Sequence, residues 1–273
     1  YPINADLALV GQVELPVDVA NARLRDPYDQ DENIRIASVG VKGTLGALTY
    51  GQQWMPYYNA VAAPVDMFST YYSGYATYTV FRVAKTLAYT TPAYNGLSFG
   101  AGYAPSSGNR RSTSRIDDRR WQAVATYVRG DTRLAAGVDD RGDAGYGKNR
   151  IYGVTLSHQA KAVYLAVKYE AFETGNRQPG SFSTDGNRAI NLYGHYALGK
   201  STIKLMLAKV DNYGDEIIHL GIDYALSRDA RLFAELYREA ETAALTTRRG
   251  GLADVDGGVR GGRALAVGLR YDF

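Results

Sequence analysis

Cysteine is absent from all 273 residues, so neither a disulfide framework nor a thiolate metal site is available. That usage fits an oxidising compartment such as a periplasm. An excess of one charge is also lacking: 31 basic against 28 acidic residues leave +3, which gives nucleic acid no electrostatic footprint. No apolar run reaches about 18 residues, which excludes a transmembrane helix. It does not exclude membrane strands, because a barrel strand needs only about 10 alternating residues. Helical periodicity never lasts beyond a turn or two and no linker composition divides the chain, so residues 1–273 read as one domain. The opening YPINADLALV has neither the basic nor the apolar region of a signal peptide, and the expectation is that any such leader has been removed.

What the sequence does hold is 23 tyrosines and 30 glycines at a mean hydropathy of -0.29. Such a mixture suits strands with one wet and one greasy face, and rings that sit half in water. Period two recurs along the chain. DLALVGQVEL puts Leu7, Leu9, Val13 and Leu15 on one face and Ala8, Val10, Gln12 and Glu14 on the other. IIHLGIDYAL sets Ile218, Leu220, Ile222, Tyr224 and Leu226 against His219, Gly221, Asp223 and Ala225. The end, ALAVGLRYDF, alternates Leu265, Val267, Leu269, Tyr271 and Phe273.

About fourteen such strands can be marked. Short turns, as at 43–46, 129–132, 198–201 and 227–230, alternate with long polar stretches at 18–33, 106–119, 174–187 and 241–262. An antiparallel meander then carries its short turns at one end and its long loops at the other, the layout of an outer-membrane barrel. A soluble sandwich or propeller also has alternating strands, but it joins apolar faces in a dry core. Here the faces opposite the apolar ones carry Arg, Lys, Glu, Asp and His, too many charges for such a core. The fold class expected is an all-β, transmembrane antiparallel β-barrel.

Three stretches narrow this. IRIASVGVKGTLGALTYGQQWMPYYNAV, then AVAAPVDMFSTYYSGYATYTVFRVAKTLAYTTP, and finally AVGLRYDF resemble the general diffusion porins of Gram-negative bacteria. The resemblance implies a barrel of about sixteen strands, of which about fourteen are visible, with a constriction loop near residues 56–78 folded into the lumen. Either a first hairpin lies outside this chain or the barrel has fourteen strands. By the same resemblance Arg35 and Arg82 fall on the basic wall of the eyelet, Asp66 on the facing loop, and Glu14 on an early inward position. Thr70 stands near a carboxylate of the family's Pro-Glu-Phe-Gly-Gly motif, which is missing. Tyr71, Tyr72, Tyr75 and Tyr78 fill the loop and are read as packing it against the wall, with stacking of sugars or aromatic solutes as the alternative. Phe273 and Tyr271 match the terminal signal read by the barrel assembly machinery.

The implied function is a water-filled channel for passive diffusion of ions and small hydrophilic solutes across the outer membrane, filtered by size and charge, and two arginines against one loop carboxylate suggest weak anion preference or little preference. The implied setting is a homotrimer in outer-membrane lipid and lipopolysaccharide, with no cofactor and no metal. A solute-selective porin for sugars, phosphate or organic anions is the alternative, and a barrel enzyme such as a phospholipase a more distant one. Of the three histidines, His158 adjoins Ser157, but neighbours in a strand point to opposite faces. The stretches GNRQPGSF and RRGGLADVDGGVRGGR lack the context of phosphate or calcium loops. Parity also places Lys168, Glu170, His195, Lys204, Asp223, Arg231 and Glu235 in a solvated lumen, and Ser38, Gly40 and Lys85 outward, the first two as a close-approach subunit surface.

Overall fold

The computed structural model describes residues 1–18, 22–24, 34–70, 82–105, 119–142, 147–179, 184–212, 214–239, 259–260 and 263–271. Fourteen long strands form one antiparallel sheet. They are β1 (Leu7–Glu14), β2 (Ile36–Gly43), β3 (Gly46–Trp54), β4 (Arg82–Thr90), β5 (Leu97–Ala104), β6 (Arg120–Arg129) and β7 (Thr132–Asp140). Then follow β8 (Asn149–Ala160), β9 (Val163–Thr174), β10 (Arg188–Leu198), β11 (Ser201–Val210), β12 (Gly214–Ala225), β13 (Ala230–Arg238) and β14 (Arg263–Tyr271). Each strand pairs with its neighbour in sequence, and Val17–Asp18 pairs separately with Arg23–Leu24. Among the described residues β1 and β14 do not pair with each other. Tyr1 and Leu9 exchange backbone hydrogen bonds, which adds a rung to the outer edge of β1.

The alternation works as the sequence reads. In β12 Ile217, His219 and Gly221 are buried, while Ile218, Leu220, Ile222 and Tyr224 are exposed. Exposed Leu, Ile and Val recur on this outer face from β1 to β14, an inversion of the soluble rule that only a lipid solvent explains. The buried face encloses residues 55–70, which run from Gly102 on β5 to Glu235 on β13. Laid flat at about 4.8 Å per strand, those two strands would lie about 38 Å apart. A segment wound into helical turns reaches both because the sheet curves around it.

The early strands correct one expectation. Ser38 and Gly40 face inward, paired with Gln12 and Val10, and the outer face there carries Leu9, Val13, Val39, Leu48 and Tyr50. Arg35 sits in the bend before β2, so its side chain is released from the alternation that the inward reading of Arg35 extended into the strand. The small residues therefore offer no close-approach surface to a second barrel. Lys85 is exposed, at φ 55°, in a bulge opposite Gly51 and Gln53. On either side of it Val83 and Thr86 are both buried.

Candidate functional site

The segment after β3 leaves the sheet at Met55 and winds into a π-turn, Tyr58–Ala62, and a 3-10 turn, Ala63–Val65, with Pro64 in its first turn. Short helical turns leave carbonyls unpaired at their ends. Here the barrel wall supplies the donors: Arg133 Nη1 donates to the Ala60 carbonyl at 2.8 Å, Thr155 Oγ1 to that of Val61, and Tyr164 Oη to that of Pro64 at 3.0 Å. At the other end the Tyr57 amide donates to Gln122 Oε1 at 2.8 Å, and its phenol to Glu170 Oε1 at 3.0 Å.

Glycines on the inner face make room for these contacts. A β-carbon on Gly102 would meet Pro56 at 3.1 Å, one on Gly137 would meet the Tyr57 ring at 3.2 Å, and one on Gly221 would meet Phe68 at 3.0 Å. One on Gly153 would stand inside the Tyr57 phenol. The wall is thus scalloped along the path of the loop.

The far end of the loop is fastened to β11, β12 and β13. Phe68 stacks on His219 with centroids 3.6 Å apart and meets Tyr193 edge-on. The backbone amides of Ser69 and Thr70 donate to the two oxygens of Glu235 at 2.7 and 2.9 Å, and Thr70 Oγ1 donates to Oε2 at 2.5 Å. Lys204 Nζ lies 2.9 Å from both Glu235 and Asp223 and 4.9 Å from the Phe68 ring. Lys168 and Glu170 form another buried pair, at 2.9 Å. These charges were expected in a solvated lumen. The loop covers Lys168, Glu170, Lys204 and Glu235 instead, and each charge is tolerated in the dry seam because an opposite charge meets it.

On the near side, Arg35 Nη1 is 3.1 Å from Glu14 Oε2, with both side chains about one-third exposed. The Arg35 guanidinium also lies 5.5 Å from the centre of the Trp54 indole and that of Arg82 5.0 Å from it. Tyr58 stacks on the same indole at 4.6 Å and donates from its phenol to Asp66 Oδ2 at 2.6 Å. Burial first, then the Asp66 carboxylate, hold that phenol far above its usual range, so it remains a neutral donor.

Glu14, Arg35, Arg82 and Asp66 are therefore brought together, linked by Trp54 and Tyr58, two residues that the sequence reading did not single out. Thr70 does not join them; it belongs to the far fastening on Glu235. Tyr71, Tyr72, Tyr75 and Tyr78 lie outside the described residues, as does Phe273. Tyr271 ends β14 on the outer face. His158 points outward and bonds Thr132, whereas Ser157 is buried on the other face. Thr70, His219 and Glu235 meet, but the hydroxyl donates to the carboxylate and the imidazole is stacked under Phe68, which is the geometry of a fastening.

Structures of known proteins share this architecture. The Salmonella typhi OmpF complex with daunomycin superposes with a TM-score of 0.74 at 19% identity, covering 100% of this chain and 87% of that one. The anion-selective porin from Comamonas acidovorans gives 0.67 at 16%, with 100% and 87% covered. A loop L8 deletion mutant of OmpT, an outer membrane protein of Vibrio cholerae, gives 0.64 at 18%, with 99% and 87% covered. No curated protein sequence matches the chain. The family model described as Gram-negative porin matches residues 10–244. With that match over most of its length, the chain belongs to the Gram-negative porins and forms a channel in the outer membrane.

Proposed function

We propose that the channel is a general diffusion pore whose eyelet is formed by Arg35, Arg82, Glu14 and Asp66, and that it works as a homotrimer without catalytic activity. The observation that carries this reading is the loop 55–70, bonded to β6, β7, β8, β9 and β13, which narrows the lumen while leaving charged side chains at its near edge. Opposed charges beside a water-filled constriction set up a local field, and the low-dielectric walls focus it. Size then limits what enters and charge biases what passes.

The bias proposed is a weak preference for anions. The guanidiniums of Arg35 and Arg82 both gather at the Trp54 ring, where Glu14 lies 3.1 Å from Arg35 and the Asp66 carboxylate accepts from the Tyr58 phenol, so cationic charge is concentrated on the wall side of the eyelet. One solved neighbour at 16% identity is an anion-selective porin, and a solved OmpT of Vibrio cholerae at 19% identity is in a trimer form. Both agree with the reading. The test is a planar-bilayer recording under a salt gradient. Conductance steps in groups of three, with a reversal potential of anionic sign, are expected. Steps of single units, or a clear cation preference, would overturn the respective part.

A further inference from the structure

Beside the eyelet the inner wall carries a cavity of about 260 Å³ between β1, β2, β3 and the first turn of the loop. Its side chains include Gln12, Ser38, Thr49, Gln53, Asn59 and Trp54, and no charged residue lines it among the described residues. In a lumen otherwise rich in ion pairs, this is a neutral polar recess, roomy enough for a six-membered ring with its substituents.

The hydrogen bonds inside it leave acceptors over. Gln12 donates its amide to Glu14 at 2.8 Å, an arrangement the carboxylate enforces because it can only accept. The Gln12 amide oxygen has no partner among the described residues. Gln53 donates to the Thr86 carbonyl at 2.8 Å and accepts from Thr49 at 2.6 Å, so its orientation is fixed from both ends and the Thr49 oxygen retains its lone pairs. Asn59 turns its NH2 toward the Trp54 carbonyl at 3.5 Å, and its oxygen has no partner among the described residues. Ser38 Oγ has no partner among the described residues and can donate or accept.

We infer that this recess is a subsite for neutral polyhydroxylated solutes, of which a monosaccharide is the fitting size. The inference rests on the diffusion-pore reading and names a solute class for it. Three amide or hydroxyl acceptors and one rotatable hydroxyl match a ligand that brings several O–H donors. An anion would meet lone pairs instead of donors, and an apolar solute would leave them unsatisfied. The recess adjoins Trp54, so a sugar held there sits at the edge of the constriction and slows the ion current while it stays.

The test is ion current through the intact channel in concentrated potassium chloride, titrated with glucose and, separately, with tetraethylene glycol dimethyl ether, which has acceptors but no donors. Glucose is expected to lower conductance along a saturating curve with excess current noise, while the ether lowers it only in proportion to viscosity. The double variant Ser38→Val, Asn59→Leu should keep the salt conductance and raise the half-saturating glucose concentration about tenfold or more, as loss of two hydrogen bonds implies. A linear response to glucose, or equal block in the double variant, would overturn the subsite. Absence of any channel in salt alone would instead overturn the diffusion-pore reading.

Discussion

The Tyr57 phenol fills the volume that a side chain on Gly153 would need, and it donates from there to Glu170 on the neighbouring strand. The loop thus reaches the wall through a gap in the wall itself. Gly153→Val is expected to expel the ring, because overpacking a rigid seam costs about 1–3 kcal/mol and the loop is the softer partner. With Tyr57 displaced, Val61 loses its seat as well, since its Cγ1 would lie 2.8 Å from the new β-carbon. Single-channel recording should show a larger conductance, and liposome swelling should admit larger solutes. Unchanged conductance in a folded variant would mean that the loop does not set the narrowest section.

The outer architecture was legible in the sequence because two-residue alternation reports directly which solvent each face meets. Leu220, Ile222 and Tyr224 could be assigned outward from IIHLGIDYAL alone. The proposed eyelet was legible only in part. Glu14, Arg35, Arg82 and Asp66 were reached by resemblance, but Trp54 and Tyr58, which link them, show no pattern, since a loop follows no period. Arg35 misled because it precedes β2 and the alternation was carried one residue too far, which turned Ser38 and Gly40 outward. The dry state of Lys168 and Glu235 was invisible for another reason: burial under a loop depends on contacts more than a hundred residues apart. The inward glycines Gly102, Gly137, Gly153 and Gly221 were the signal that could have traced the loop's path.

Glu235 accepts from Ser69, Thr70 and Lys204, so Glu235→Gln should loosen the far end of the loop. Breaking one partner of a buried ion pair costs about 3–5 kcal/mol, moderated here because Asp223 still faces Lys204. The expected result is a lower unfolding temperature in detergent together with flickering of the open channel. In the double variant Glu235→Leu, Lys204→Met, the apolar replacement should recover part of the thermal stability, with Asp223 left to Arg231 at 3.7 Å, while the flicker persists. Quiet channels in both variants would show that Phe68 stacking on His219 holds the loop alone.

The two arginines should differ in effect. Arg35 faces Glu14 at 3.1 Å, so removing its charge also releases a carboxylate. Arg82 lies over the Trp54 ring, 5.0 Å from its centre. A unit charge at about 4 Å in water is worth about 1 kcal/mol to a passing ion. Both Arg35→Ala and Arg82→Ala should move the reversal potential toward cations, and Glu14→Gln should move it toward anions. Equal potentials in all three variants would remove these residues from the eyelet.

Trp54 should act through the arginines and not through its own charge. Cation–π contacts contribute about 0.5–1 kcal/mol each at exposed sites, so Trp54→Ala takes the ring face from two guanidiniums and one stacked phenol at once. The guanidiniums would then sample the lumen more widely. Selectivity should fall and open-channel noise should rise, whereas Trp54→Phe, which keeps a ring face, should restore most of both. If Trp54→Ala left selectivity and noise at their original values, the indole would be packing only.

The outer face allows a test independent of transport. Leu220 lies in the middle of β12, outward and exposed, between buried His219 and Gly221. If that face meets lipid, Leu220→Arg places a charge in hydrocarbon at a cost of about 2–4 kcal/mol near the bilayer midplane. The same change near a strand end, at Tyr224, should cost no more than about 1 kcal/mol, since the side chain can reach the interface. Folding titrations into lipid vesicles would read both values. Equal costs at the two positions would mean that Leu220 is covered by protein, as it would be if this sector of the barrel formed the contact between subunits.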